Sequence, residues 1–140
     1  IPIYKHEVSK LEKELEELIK KQNAKIKVIG VGGGGNNSLS RMREIGIKGG
    51  EMIAINTDAQ DLLYTNADYK ILIGKEIAQG LGAGSNPKIG EESARESEHE
   101  IKKRITSSDM VFITCGLKNP SFITSTIWMH CNYYLYCTEK

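Results

Sequence analysis

Between residues 6 and 22 the apolar positions Val8, Leu11, Leu15 and Leu18 recur at steps of three and four, with Glu16 and Lys20, and Glu17 and Lys21, one turn apart. This spacing predicts a charged helix with a narrow apolar stripe. It is expected to pack on the domain's own surface, with a short coiled-coil or partner helix as the alternative. From residue 26 the pattern changes to short apolar runs separated by polar, helix-compatible stretches. IKVIGV (26–31) reads as a β-strand, NSLSRMREIG as a helix closed by Gly46, and MIAIN (52–56) as a buried strand. AQDLLYT follows as a short helix and YKILIG as a third strand ending at Gly74. Asn86 is placed to cap a helix that has Pro87 at its first position and runs to about Arg104. Its inner face is Gly90, Ala94, Ser97, Ile101 and Ile105, and the pairs Glu91–Arg95, Glu98–Lys102 and Glu100–Arg104 cover the outside. DMVFITCG supplies a fourth strand.

Strands alternating with helices predict a doubly wound, Rossmann-like α/β fold with a parallel sheet, preceded by the amphipathic helix. Ligands of such sheets bind at the carboxyl ends of the strands. Two glycine-rich segments fall there. GVGGGGNN (30–37) follows the first strand, and GLGAGSNP (80–87) follows the third and feeds another helix. A glycine run between a strand and a helix presents bare backbone N–H groups beside a positive helix end, which is an anion site. Glycine also allows the turn itself and the close approach of phosphate oxygens. One or two glycines would suffice for a turn; four in succession, Gly32 to Gly35, point to a polyphosphate.

The type of nucleotide stays open at this level. Gly30, Gly32 and Gly35 satisfy GxGxxG, and Asp58, at the end of the second strand, stands about where a dinucleotide site puts its ribose acid. A Walker loop is excluded, because Gly74-Lys75 is followed by Glu76. The second bare loop favours a triphosphate, whose terminal phosphate needs donors of its own. An NAD(P)-binding module is the alternative. Asp58 itself reads equally as a metal-side carboxylate or as the cap of the helix it precedes.

Composition narrows the partners. A net charge of +1 on 140 residues gives no field to attract nucleic acid or an anionic membrane. No run is long and apolar enough to span a membrane, so direct membrane insertion is not expected and the cytoplasm is the default compartment. Cys115, Cys131 and Cys137 form no CxxC pair, which argues against a disulfide framework and structural zinc. Cys115 is expected to be a small core residue and His99 a solvated helix residue. All fourteen glycines lie between Gly30 and Gly116, whereas the last residues carry Trp128 and the aromatic cluster YYLY, which reads as sticky exposed surface. The chain therefore divides into a helix (1–23), a nucleotide-binding domain (24–117) and a divergent tail (118–140).

GVGGGGNN, AINTDAQDLL (54–63), GLGAGSNPKIGEESARES (80–97) and SDMVFITCGL (108–117) together resemble FtsZ, the tubulin-like GTPase family of prokaryotic cell division, in that family's order and spacing. The resemblance covers about residues 25–117, and the helix before it is similar to that of archaeal members. It implies GTP or GDP with Mg²⁺ as ligands. Gly33, Gly34, Gly35, Asn36 and Asn37 would wrap the α- and β-phosphates, with Gly32 also among the GTP-binding residues. Asn56, Thr57 and Asp58 would line the site beside the phosphates and Mg²⁺, and Ala83, Gly84 and Ser85 would approach the γ-phosphate. It implies, too, head-to-tail self-assembly, division-site regulators as partners and a place at the division site.

The sequence departs from the family after Leu117. Where the family has GGGTGTG, this chain has Lys118-Asn119-Pro120-Ser121-Phe122-Ile123-Thr124. Pro120 lacks a backbone donor and Phe122 is too bulky to wrap phosphate. The guanine-contacting residues and the second domain with its acidic loop are not in this sequence either. The chain reads as the N-terminal half of such a GTPase, truncated or altered, with no catalytic residue assigned and no turnover expected of it alone. A non-catalytic fragment that caps filaments is a further alternative.

Overall fold

The computed structural model describes residues 2–22 and 25–115. In chain order the elements are α1 (Pro2–Gln22), β1 (Ile26–Val31), α2 (Gly32–Ile45), β2 (Glu51–Asn56), α3 (Ala59–Tyr64), β3 (Tyr69–Leu72), α4 (Pro87–Glu96), α5 (Glu98–Ile105) and β4 (Met110–Cys115). The strands form one wholly parallel sheet in the order β3-β2-β1-β4. The chain winds outward from β1 through β2 to β3, then crosses to the other side of β1 for β4. That reversal puts a crevice at the carboxyl ends of β1 and β4, the usual ligand position in an open parallel sheet.

Register explains how both faces are covered. Ile29 lies beside Ile53 and Ile113, and Val31 beside Ile55 and Cys115. These rows pack with Ile71, Ile73, Ala94, Ile101 and Ile105 into the larger core, beneath α4 and α5. The opposite face packs Met52 and Ala54 with Leu39 of α2 and Leu62 of α3. Full burial of one such aliphatic side chain stabilises by about 1.5–3 kcal/mol, so the isoleucine-rich α4/α5 face carries more of the stability than the smaller α2/α3 face. The expected doubly wound α/β fold is the fold observed, and Cys115 is the core residue it was expected to be.

The element boundaries show where local sequence and packing disagree. Gly46 closes α2 as expected, with φ 87° and its N–H bonded to the Arg43 carbonyl. The start of α2 differs from expectation: the helix begins at Gly32, so the glycine run is its first turn rather than a loop before it. Glycine is a poor helix former, and here tertiary packing overrides propensity. The expected continuous helix from Asn86 to Arg104 is broken at Ser97 (φ −103°, ψ 13°), whose hydroxyl accepts a hydrogen bond from Gly74 N–H at 3.4 Å. Glu91–Arg95 (2.9 Å) and Glu98–Lys102 (2.7 Å) form as expected. Arg104, expected to pair with Glu100, turns instead to Glu51 at 3.9 Å and stacks on Tyr69, 3.4 Å from the ring centre.

Two further anchors hold the amino ends of the strands. Lys27, almost fully buried, donates to the Arg104 carbonyl and lies 3.5 Å from Glu51. Asp68 accepts from Met52 N–H and from Arg43, and its pKa is lowered first by that backbone hydrogen bond and then by the guanidinium.

Helix α1 departs most from expectation. Its stripe does not pack on the domain: Leu11, Leu15 and Leu18 are 56%, 49% and 54% exposed. The pattern made a helix, but its stripe covers no surface among the described residues. The side chain of Val8, and the expectations for Gly116 and everything after it, lie outside the described residues.

Candidate functional site: two glycine turns at the sheet's carboxyl edge

The first turn is built for close approach. A Cβ on Gly30 would stand 2.6 Å from the Gly35 carbonyl oxygen and 2.6 Å from Leu39 Cγ. A Cβ on Gly35 would overlap the Thr114 carbonyl and stand 3.0 Å from the Gly30 carbonyl carbon. These two glycines let α2 lie directly on β1 and β4, so they shape the site from beneath. Gly32 makes the turn at φ 70°, with open space around it. Gly33, Gly34 and Asn37 are the exposed members of the run.

The amino end of α2 is left bare. Its N-cap is Val31, with no side-chain cap and no acidic residue in the first turn. The N–H groups there lack a partner from their own helix, which leaves an anion-binding end. The other two helices at this edge are closed. Asp58 Oδ1 accepts from Gln60 and Asp61 N–H at 2.9 and 3.2 Å, capping α3, and Asn86 accepts from Lys88 N–H at 3.1 Å, capping α4. Of the two readings of Asp58, the cap is therefore the one observed; its Oδ2 stays outside those bonds and faces Gly82, 3.5 Å from where a Cβ there would stand.

Asn36 and Asn56 tie the first turn to the end of β2. Both are almost fully buried. Oriented to satisfy its neighbours, the Asn36 amide donates to the Gly30 and Gly32 carbonyls (3.0 and 3.3 Å), and its oxygen accepts from Asn56 Nδ2 at 3.0 Å. Asn56 Oδ1 in turn accepts from Asp58 N–H at 3.1 Å. Both asparagines were expected at a ligand; here they connect backbone to backbone. What the sequence does not announce is this network, because an asparagine reads the same whether it faces a ligand or a buried carbonyl.

The second turn is fixed to the same corner. Asp58 and Leu81 form an isolated antiparallel bridge, Ala59 N–H donates to the Gly80 carbonyl (3.0 Å), and Gly82 N–H donates to the Thr57 carbonyl (3.2 Å). Between residues 79 and 85 the backbone is left-handed at Gln79, Gly80, Gly82, Gly84 and Ser85. Gly84 and Ser85 are exposed and Ala83 is half-buried. Thus Gly32 through Asn37, Asn56 through Asp58 and the second turn, expected together from the sequence, are joined by direct hydrogen bonds between their segments. Among the described residues, no three His, Cys, Asp or Glu side chains are placed to hold a metal ion.

A family model described as the Tubulin/FtsZ family, GTPase domain, matches residues 25–119. The chain belongs to the Tubulin/FtsZ family. That match runs slightly beyond Leu117, where the motifs stop, and it displaces the dinucleotide-module alternative. Cell division protein FtsZ 1 of Methanocaldococcus jannaschii is 60% identical over 111 residues, which are 79% of this chain and 30% of that protein. FtsZ 1 of Thermococcus kodakarensis is 58% identical over 109 residues, 78% of this chain and 29% of that protein. The chain thus spans less than a third of the length of these Tubulin/FtsZ relatives. An FtsZ dimer structure from M. jannaschii superposes with a TM-score of 0.71 at 56% identity, covering 82% of this chain and 34% of that one. CetZ2 of Haloferax volcanii, at 21% identity and a TM-score of 0.68 over 82% of this chain and 39% of that one, shares the fold.

Proposed function

We propose that this chain is the N-terminal part of a cell-division GTPase and that its two glycine turns bind GTP or GDP with Mg²⁺. The observation that carries the reading is the uncapped amino end of α2, beside two turns that are each hydrogen-bonded to the chain at and just after the end of β2, at the point where the strand order reverses. The N–H groups of Gly32 to Gly34 and the Asn37 side chain take the α- and β-phosphates. Gly35, Asn36, Asn56 and Thr57 hold the backbone that presents them. Ala83, Gly84 and Ser85 face the γ-phosphate, and Asp58, through Oδ2, stands on the metal side. The cation is completed by phosphate oxygens and water, in keeping with the few oxygen ligands that proteins usually give Mg²⁺.

Hydrolysis, head-to-tail assembly, division-site regulators and a division-site location belong to the intact protein on this reading. An M. jannaschii FtsZ relative is solved as a dimer. No helix among the described residues is long and apolar enough to cross a membrane. Phosphoryl transfer depends on positioning and charge stabilisation, and no described residue is assigned that role, so binding rather than turnover is the activity proposed for this chain.

The test is a titration of the full chain with a fluorescent GTP analogue in Mg²⁺, with NADH as the parallel ligand. Saturable binding competed by GTP and not by NADH is expected. A folded chain that binds neither ligand would refute the reading.

A further inference from the structure

Helix α1 takes no part in either glycine turn. Three residues separate its last residue, Gln22, from Ile26, so its carboxyl end is tethered to the amino edge of the sheet, opposite the edge that carries the turns. Its apolar positions Val8, Leu11, Leu15 and Leu18 follow one another at steps of three, four and three. That alternation is the 3.5-residue seam of a coiled coil, narrower than the stripe a helix turns toward a globular core. Leu11, Leu15 and Leu18 lie exposed along it, and Ile19 beside them is 58% exposed. A seam of this width fits one other helix. It does not fit an anionic lipid surface, because Glu12, Glu14, Glu16 and Glu17 stand among the apolar positions.

We infer that α1 docks on the α1 of a second copy of this chain, as an antiparallel two-helix coiled coil. Written as heptads, Val8 and Leu15 take a positions and Leu11 and Leu18 take d positions. Glu7, Glu14 and Lys21 then flank the seam at g, and Glu12 and Ile19 flank it at e. In a parallel pair each g residue meets the e residue five places on in the other helix, so Glu7 meets Glu12 twice and Glu14 meets Ile19. In an antiparallel pair, Leu11 aligns with Leu15 of the second copy and Val8 with Leu18, which closes every apolar layer. Position 7 then faces position 21, so Glu7 meets Lys21 twice, while Glu12 and Glu14 each meet their own counterpart beside the two-fold axis. The parallel arrangement has two like-charge contacts and no opposite ones; the antiparallel arrangement sets two opposite-charge contacts against its two like ones. Charge therefore selects the antiparallel pair. The seam is short and its centre is acidic, so the association is weak. An isologous contact closes on itself and joins chains in twos. It leaves the glycine turns at the far edge open, so it needs no nucleotide, and in the intact protein it ties one filament to another rather than lengthening either.

The experiment is sedimentation equilibrium of the full chain without nucleotide, at low salt. A monomer–dimer equilibrium with a dissociation constant of about 100 µM is expected. Leu15→Asp should weaken it at least about a hundredfold, because each dimer would bury two unpaired charges. Leu15→Gln, which retains a good helix former, should weaken it in the same direction and so separates lost docking from a lost helix. Two charge reversals test the orientation. Lys21→Glu turns two opposite contacts of the antiparallel pair into like ones and should weaken association about tenfold, a difference that closes as salt is raised. Glu12→Lys keeps a like pair at the two-fold axis and should leave the antiparallel dimer nearly unchanged, whereas a parallel dimer would gain two opposite contacts and tighten. A chain that stays monomeric up to about 500 µM would overturn the inference. If that monomer also melted at a lower temperature as Leu15→Asp, the stripe would be assigned to another segment of the same chain. Association unaffected by both Leu15 variants would place it on a different surface and overturn the role of α1. Tightening by Glu12→Lys with no effect of Lys21→Glu would overturn the antiparallel pairing.

Discussion

The two glycine-rich turns at the carboxyl edge of the sheet use the same residue for different purposes. In the first turn, glycine removes side-chain volume: Gly30 and Gly35 let a helix touch two strands, and the helix end above them stays open. In the second, glycine supplies a backbone path through a series of left-handed residues, after which Asn86 closes α4 with its own side chain. One turn presents donors from a helix end; the other positions a segment against Asp58 and commits the Leu81 and Gly82 N–H groups to local carbonyls. Glycine content alone does not distinguish a cradle from a clasp, whereas the state of the following helix end does.

Substitution separates these uses. The largest effect is expected from adjacent residues with opposite outcomes. Gly35→Ala drives a methyl into the Thr114 carbonyl and should cost about 3 kcal/mol in urea denaturation. Gly34→Val, at an exposed position, should remove GTP-analogue binding while the circular dichroism spectrum is retained. Similar stability losses in both variants would erase the distinction between buried and presenting glycines. Asn36→Ala leaves the Gly30 and Gly32 carbonyls and the Asn56 amide without their partner, for a loss of about 2 kcal/mol by thermal melting and a weaker nucleotide affinity.

Asp58→Ala opens the α3 cap, for about 1 kcal/mol. If Oδ2 serves the cation as well, its effect on nucleotide affinity should be larger in Mg²⁺ than in chelator. The smallest effect has the opposite sign. Ser85 is held at φ 60°, so Ser85→Gly should stabilise the chain by about 1 kcal/mol; an unchanged melting temperature would show that the second turn stores no backbone strain there.

Much of this architecture was legible because strand signals and helix punctuation agree with packing. The β-branched runs became strands within a residue or two of their expected limits, and Gly46, Asp58 and Asn86 end or begin helices as their chemistry dictates. The failures have a common cause, which is that a distant contact decided the local conformation. The glycine run opens a helix because Gly35 is seated on the Thr114 carbonyl and Leu39, one turn further on, packs against Gly30. The break at Ser97 depends on a hydrogen bond from Gly74, and the partner of Arg104 on the arrival of Glu51 and Tyr69 beside it. The site was legible as a set of segments but not as a division of labour: Asn36 and Asn37 are neighbours of one type, and only burial shows that one braces the turn while the other is free to face a ligand.

The pairing of β1 with β4 has a kinetic consequence. β1 finds β2 through a short crossover, but its other edge is closed by the strand that follows Asp109, whose carboxylate binds the N–H of Lys25 from 84 residues away. At a synthesis rate of about 5–20 residues per second, the central strand of the finished sheet spends on the order of several seconds as an edge strand. Because Gly35 is seated on Thr114, the cradle above it reaches its final shape only when β4 docks. Nucleotide therefore cannot template the steps before β4 docks; it can only trap the molecule after that, and a ligand added during refolding should slow unfolding without accelerating the first phase.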